Sequence, residues 1–215
     1  MSLNEFPIEG SEPLFIAGWF LEDLSICDEL IDFWKTHPEY QRAGVAGFQD
    51  AADGIDTNSK DSTDITLTTQ NPPPVLEKYG FQLKAVVDCY KEKFYWSGAY
   101  GSFALMEPVN IQQYRPGGGF KQWHTERTES HFPSVTRHLV FMTYLNDVHD
   151  QGETEFFYQN IKVKPRKGLT LIWPADWTYT HRGVPSPTEE KFIITGWYNF
   201  ITKEIPNSVR YRRAD

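Results

Sequence analysis

Apolar and polar positions follow two different rhythms along the chain, and the change falls near residue 104. In the first part, Ile26, Leu30, Phe33 and Trp34 recur at the spacing of three and four that lays one apolar stripe along a helix. Ser25 stands just ahead as a capping candidate, and Asp28 brings a negative charge into the first turn, where the helix dipole favours it. A longer helix is predicted after Pro72-Pro73-Pro74, through Tyr79, Leu83, Val86, Val87, Tyr90 and Phe94. Gly80 inside it costs about 1 kcal/mol relative to Ala and weakens its early part. Ahead of both helices, Leu14-Phe15-Ile16-Ala17 reads as a short strand.

From Ala104 onward, short runs rich in β-branched and aromatic residues alternate with turn signals. They predict strands over 109–114, 139–145, 154–158, 161–163, 169–173 and 192–200, the second ended by Asn146-Asp147. Short strands at this spacing build a sandwich or barrel, and helices beside them cover a sheet face that would otherwise be open. No linker separates the two parts. The expectation is one domain over 1–215, mainly β with supporting helices, with a helix-rich part at 1–103 and a β core at 104–203.

Composition narrows this further. Of 215 residues, 40% are apolar and 15% aromatic, ample for a sizeable core. A formal charge of −8 argues against broad nucleic-acid binding, and the one basic cluster, Arg210-Tyr211-Arg212-Arg213, reads as a solvated tail. Two cysteines, Cys27 and Cys89, are too few for a disulfide framework. There is no signal-peptide pattern and no apolar run long enough to span a membrane, so a cytoplasmic location is expected.

The candidate chemistry lies in Gln122-Trp123-His124-Thr125-Glu126 and in His181-Arg182-Gly183-Val184. On a strand, His124 and Glu126 would share a face, and His181 would arrive from another strand. Two imidazoles and one carboxylate with open positions suit Fe(II), and no cysteine competes to make a thiolate zinc site. His131 is the rival ligand by sequence; His37, His138 and His149 read as structural or surface residues.

From about Tyr114 to Phe200 the chain resembles the Fe(II)/2-oxoglutarate-dependent oxygenases, and most closely their prolyl 4-hydroxylase-like branch. The resemblance rests on an ordered set: Tyr114-Arg115-Pro116-Gly117 ahead of His124, Tyr144-Leu145-Asn146, Gly152-Glu153-Thr154-Glu155-Phe156, Lys164-Pro165-Arg166-Lys167-Gly168 before Pro174, and Lys191, Thr195 and Trp197 after His181. It implies a double-stranded β-helix (a cupin-like jelly roll) backed by N-terminal helices. His124, Glu126 and His181 become the Fe(II) ligands, and 2-oxoglutarate and O2 the co-substrates. Lys191 would pair with the distal carboxylate of 2-oxoglutarate, and Tyr144 and Tyr114 would hydrogen-bond to it. Thr195 and Trp197 would line its pocket. Trp123, Arg127, Arg182 and Trp197 are the candidate substrate contacts. Glu126 departs from the Asp usual in the family, so a longer side chain must fold back to reach the metal.

The implied reaction is hydroxylation of a peptide or protein prolyl residue, with a free amino acid or another small metabolite as the alternative substrate. Two other classes stand beside it: a jelly-roll binding module without turnover, and a zinc hydrolase on the same ligands. The glycine- and aspartate-containing segment 43–62 is a candidate lid.

Overall fold

Fourteen strands and three α-helices carry the chain in a computed structural model that describes residues 3–8, 14–45, 56–128 and 132–201. In chain order the strands are β1 (Glu5–Phe6), β2 (Ala17–Phe20), β3 (Arg42–Ala43), β4 (Lys60–Asp61), β5 (Thr63–Leu67), β6 (Phe103–Leu105), β7 (Val109–Tyr114), β8 (Gly119–Phe120), β9 (Arg137–Tyr144), β10 (Thr154–Phe156), β11 (Ile161–Val163), β12 (Leu169–Pro174), β13 (His181–Gly183) and β14 (Lys191–Phe200). The helices are α1 (Ser25–Thr36), α2 (Pro74–Lys93) and α3 (Trp96–Ala99).

The major sheet has nine strands in the order β1-β2-β12-β9-β14-β7-β5-β3, with β6 added against β14. A minor sheet, β11-β10-β13, faces it, and β4 and β8 form a separate ribbon. Neighbours are antiparallel throughout. This is the expected jelly-roll arrangement, with edge strands that come from the helix-rich part. The part before residue 104 supplies β1, β2, β3 and β5 to the major sheet, so it is not only a helical backing. β1 and β3, with two residues each, leave no periodicity to detect.

Alternation along the strands sorts the interior into two cores. On one side, Ile65, Ile111, Phe141, Ile172 and Ile194 pack under Leu30 of α1 and Tyr79, Leu83 and Val86 of α2. The polar seam there is a chain of hydroxyls: Tyr79 Oη lies 2.7 Å from Thr143 Oγ1, which lies 2.7 Å from Thr170 Oγ1. On the other side, Val140, Met142, Leu171, Trp173 and Ile193 face Phe156 and Val163 of the minor sheet.

Both long helices form where the apolar spacing places them. Ile26, Leu30 and Trp34 are buried, while Phe33 sits half-buried on the flank. Ser25 is the first helical residue and not the cap; its N–H donates to Asp23 Oδ1 at 2.9 Å, so Asp23 takes the orphan donor. The first strand is also displaced. Phe15 sits at φ 53°, which breaks extension there, and pairing with β12 begins at Ala17. His138 bonds the Ser97 carbonyl at 2.6 Å and packs against Phe103 and Phe200, a structural role. His37 is half-buried between Phe33 and Tyr40, and His149 is exposed. His131, residues 46–55 of the candidate lid and the basic cluster at 210–213 lie outside the described residues.

Candidate metal centre and its cavity

His124 is not on a sheet strand, as the i, i+2 pattern predicts. It forms an isolated antiparallel bridge with His181. Each backbone N–H donates to the other's carbonyl, at 3.0 and 2.9 Å, so the two ligand residues are fastened face to face through main chain. Their rings lie 4.3 Å apart, centroid to centroid. Glu126 follows in a bend, and its Oε1 lies 3.7 Å from His124 Nε2 and 3.4 Å from His181 Nε2. One donor atom from each of the three falls within 4.8 Å of the others.

The unused ring nitrogens show that the set fits a cation. His124 Nδ1 lies 2.9 Å from the Gln122 carbonyl, and His181 Nδ1 lies 2.9 Å from the Tyr179 carbonyl. A carbonyl only accepts, so Nδ1 carries the proton on both rings and each Nε2 lone pair points into the cluster. Phe120 stacks on His124 at 3.6 Å and 9°, while Trp173 and Phe156 close on His181. Burial, helped by the neighbouring His181, drives the His124 pKa down to about 3, so its imidazole is neutral at physiological pH. Burial would raise the Glu126 carboxyl. Its contacts with His181, His124 and Arg137 outweigh that, Arg137 being the permanent charge among them, and hold it below the usual carboxylate range. A neutral His124 imidazole and an ionised Glu126 suit a divalent ion, which needs deprotonated donor atoms.

The longer Glu126 side chain is held from outside the cluster. Trp197 Nε1 donates to Glu126 Oε2 at 2.9 Å, which leaves Oε1 facing the imidazoles. Arg137 stacks on the Trp197 ring at 3.6 Å, donates to the Glu126 backbone carbonyl at 2.6 Å, and pairs with buried Glu107 through both arms at 2.8 and 2.6 Å. Trp197 therefore lines the cavity and also holds a ligand. The sequence pattern does not single out Arg137 or Glu107; a charge opening an otherwise apolar strand is the available signal.

The cluster opens into a cavity of about 470 Å³ between the two sheets. Lys191 lines it with only 4% of its surface exposed. Its ammonium donates to the carbonyls of Gly152 at 2.9 Å and Val184 at 3.5 Å, and no carboxylate pairs with it among the described residues. Burial lowers its pKa to about 8 against the opposing charge of Glu153. Tyr114 and Thr195 also line the cavity. The Lys191 ammonium sits 5.1 Å from the Tyr114 ring centre, while the Tyr114 O–H donates to Gln112 Oε1 at 2.7 Å. Thr195 Oγ1 donates to the Phe141 carbonyl at 2.9 Å.

Four other sequence candidates point elsewhere. Tyr144 is fully buried, with its hydroxyl on Thr154 Oγ1 at 2.6 Å and the Val163 carbonyl at 3.1 Å. Arg182 alternates with His181 and Gly183 along β13, so it leaves the opposite face. There it pairs with Glu155 at 2.8 Å and lies 4.4 Å from the Trp123 ring. Trp123 in turn packs edge-on against Phe157. Arg127 is exposed and reaches Asp176 Oδ2 and the Arg137 carbonyl, each at 3.3 Å. The cavity instead brings in Lys60, Asp64, Asn110 and Gln112, which sequence spacing does not mark as a set.

A jelly roll whose cavity holds two histidines and a carboxylate is the architecture of a non-haem iron oxygenase. Residues 109–199 match the 2OG-Fe(II) oxygenase superfamily. A probable prolyl 4-hydroxylase 9 of Arabidopsis thaliana is 30% identical across 42% of this chain, and the match spans only 40% of that protein's length. The fold is shared with the viral collagen prolyl hydroxylase of Paramecium bursaria Chlorella virus-1, solved with 2OG, at TM-score 0.62 and 18% identity over 88% of this chain and 98% of that one. A Trichoplax adhaerens prolyl hydroxylase, solved with a hypoxia inducible factor peptide fragment, aligns at TM-score 0.65 and 15% identity over 87% and 84% of the two chains. A Pseudomonas putida prolyl-4-hydroxylase gives 0.64 and 14% over 86% and 92%.

Proposed function

We propose that this protein is an Fe(II)- and 2-oxoglutarate-dependent dioxygenase that hydroxylates an unactivated C–H bond of a prolyl residue in a peptide or protein. The observation that carries the proposal is one cavity containing both the His124, Glu126 and His181 cluster and a buried lysine with no carboxylate partner among the described residues. Fe(II) bound there, with 2-oxoglutarate and O2, supplies the oxidising chemistry: one oxygen atom goes to the substrate C–H bond and the other to succinate, with release of CO2.

The chain's own part is binding and orientation. His124 and His181 present Nε2 to the cluster, each with Nδ1 held by a backbone carbonyl, and Glu126 supplies the anionic oxygen. Trp197 keeps the other Glu126 oxygen occupied. Lys191 supplies a cation in a low-dielectric wall, where pairing with a carboxylate is stronger than in water. Tyr114 and Thr195 complete the 2-oxoglutarate wall beside it. A prolyl substrate is supported by the branch to which the aligned relatives belong. A free amino acid is the second reading, favoured by the charged pair Lys60 and Asp64 in the same cavity. The binding-module reading leaves a complete ligand set and a buried anchor without a use. A zinc hydrolase would leave Lys191 without one.

The test is succinate formation from 2-oxoglutarate by anaerobically iron-loaded protein on exposure to O2, with and without prolyl peptides and free amino acids. Turnover stimulated by one substrate class is the expected result. Iron binding without succinate would overturn the proposal.

A further inference from the structure

Strands β5 and β7 carry an unusual face. Ile65, Leu67, Val109 and Ile111 point into the helix-side core, as apolar alternation requires. The alternate positions Asp64, Thr66, Asn110 and Gln112 point into the cavity and form a polar stripe. Lys60 of β4 joins it. Its ammonium lies 2.7 Å from Asp64 Oδ2, with side chains 6% and 12% exposed. Gln112 Nε2 donates to the same oxygen at 3.2 Å. Gly44 lies over the pair so closely that a Cβ there would sit 3.0 Å from Lys60 Cε and 3.1 Å from Asp64 Oδ2.

The pair's hydrogen-bonding capacity is only part used. Among the described residues, Asp64 Oδ1 is buried without a partner and the Lys60 ammonium, with three donors, bonds only Asp64. A buried ion pair is a weak source of stability, because desolvation offsets the attraction, and an orphaned buried oxygen adds a further cost. The pair is also beside the chemistry: Lys60 pairs with Phe120 across the β4–β8 ribbon, and the Phe120 ring stacks on His124.

We propose that Lys60 and Asp64 form the recognition point for the oxidised substrate. Lys60 receives a carbonyl or carboxylate oxygen, and Asp64 Oδ1 accepts an N–H or ammonium from the same small unit. This rests on reading the cavity as an oxygenase site. Two sources present such a unit: the main-chain amide following a peptide-bound proline, and the zwitterion of a free amino acid.

The experiment is calorimetric titration of Fe(II)- and 2-oxoglutarate-loaded protein under anaerobic conditions, where no turnover occurs. The probes are L-proline and N-acetyl-L-proline N-methylamide. The variants are Lys60→Met, Asp64→Asn and the neutral pair Lys60→Met/Asp64→Leu, which leaves no lone buried charge to unfold the protein. At least tenfold weaker binding of the probe that wild type prefers is expected, and that probe identifies the source. Binding within twofold of wild type in the neutral pair would overturn the assignment, as would wild type binding neither probe. Loss of succinate formation in wild type is a separate failure, and it would sink the oxygenase reading itself.

Discussion

The two faces of the major sheet are made by the same strands under opposite rules. Along β14, Phe192, Ile194 and Tyr198 pack toward the helices, while Lys191, Thr195 and Trp197 face the cavity. The helix side is stabilised by apolar area removed from water, and a short hydroxyl chain runs through it. The cavity side buries Lys191 and Asp64 and half-buries Glu126, groups whose desolvation costs stability. One face holds the fold and the other holds the chemistry, one residue out of step. Substitutions on alternate positions of one strand should therefore separate the two properties.

The sharpest break is His181→Ala, which should abolish iron binding and succinate formation yet preserve cooperative unfolding, because the bridge to His124 is made by backbone. Metal titration and a thermal melt check this, and full activity would remove the metal assignment. Lys191→Ala should raise the 2-oxoglutarate concentration for half-maximal rate on the order of a hundredfold, the loss of one partner of a buried charge pair. An unchanged requirement would move the anchor elsewhere in the cavity, since Arg182 pairs with Glu155 on the opposite face.

From the other face, Leu83→Ala should cost about 3 kcal/mol of stability in denaturant unfolding. Its metal affinity should stay at the wild-type value; weakened metal binding would show that the faces are coupled. Trp197→Phe keeps a ring under Arg137 but removes the donor to Glu126, so metal affinity should fall about tenfold in a chelator competition. No change would mean that the indole does not orient the ligand.

The smallest effect is in pH. Burial depresses the Lys191 pKa from 10.5 to about 8, so the anchor is charged below that value and neutral above it. Affinity for 2-oxoglutarate should weaken about fourfold between pH 7 and 8.5. The stability sign is opposite: between about pH 8 and 10.5 the unfolded chain binds the extra proton, so this residue's contribution favours folding more as pH rises. Flat affinity across that range would place the Lys191 titration elsewhere.

Local spacing made the helix-side face legible. Ile26, Leu30 and Trp34, and Tyr79, Leu83 and Val86, are buried as a period near 3.6 demands. The metal trio was legible for a different reason: a His124 and Glu126 pair means little alone, but the ordered motifs around it and the later His181 and Lys191 give it a setting. The rest was set by tertiary partners. Arg137 gains its role from Glu107, thirty residues away, and from Trp197. Lys60 and Asp64 matter because β4 and β5 bring them to the cavity. The hydroxyl of Tyr144 is taken by Thr154 and Val163, neither of which a strand pattern names as its partner.

The reciprocal backbone bonds between His124 and His181 fasten the two ends of a long excursion through β9 to β12. Closing such a loop has an entropic cost that grows only slowly with its length. A metal ion held by both rings would act on it as a reversible cross-link. Binding the native state and not the unfolded chain, it should add about 2.7 kcal/mol at a free concentration one hundred times its dissociation constant. The melting temperature of this protein would then report how much iron it carries.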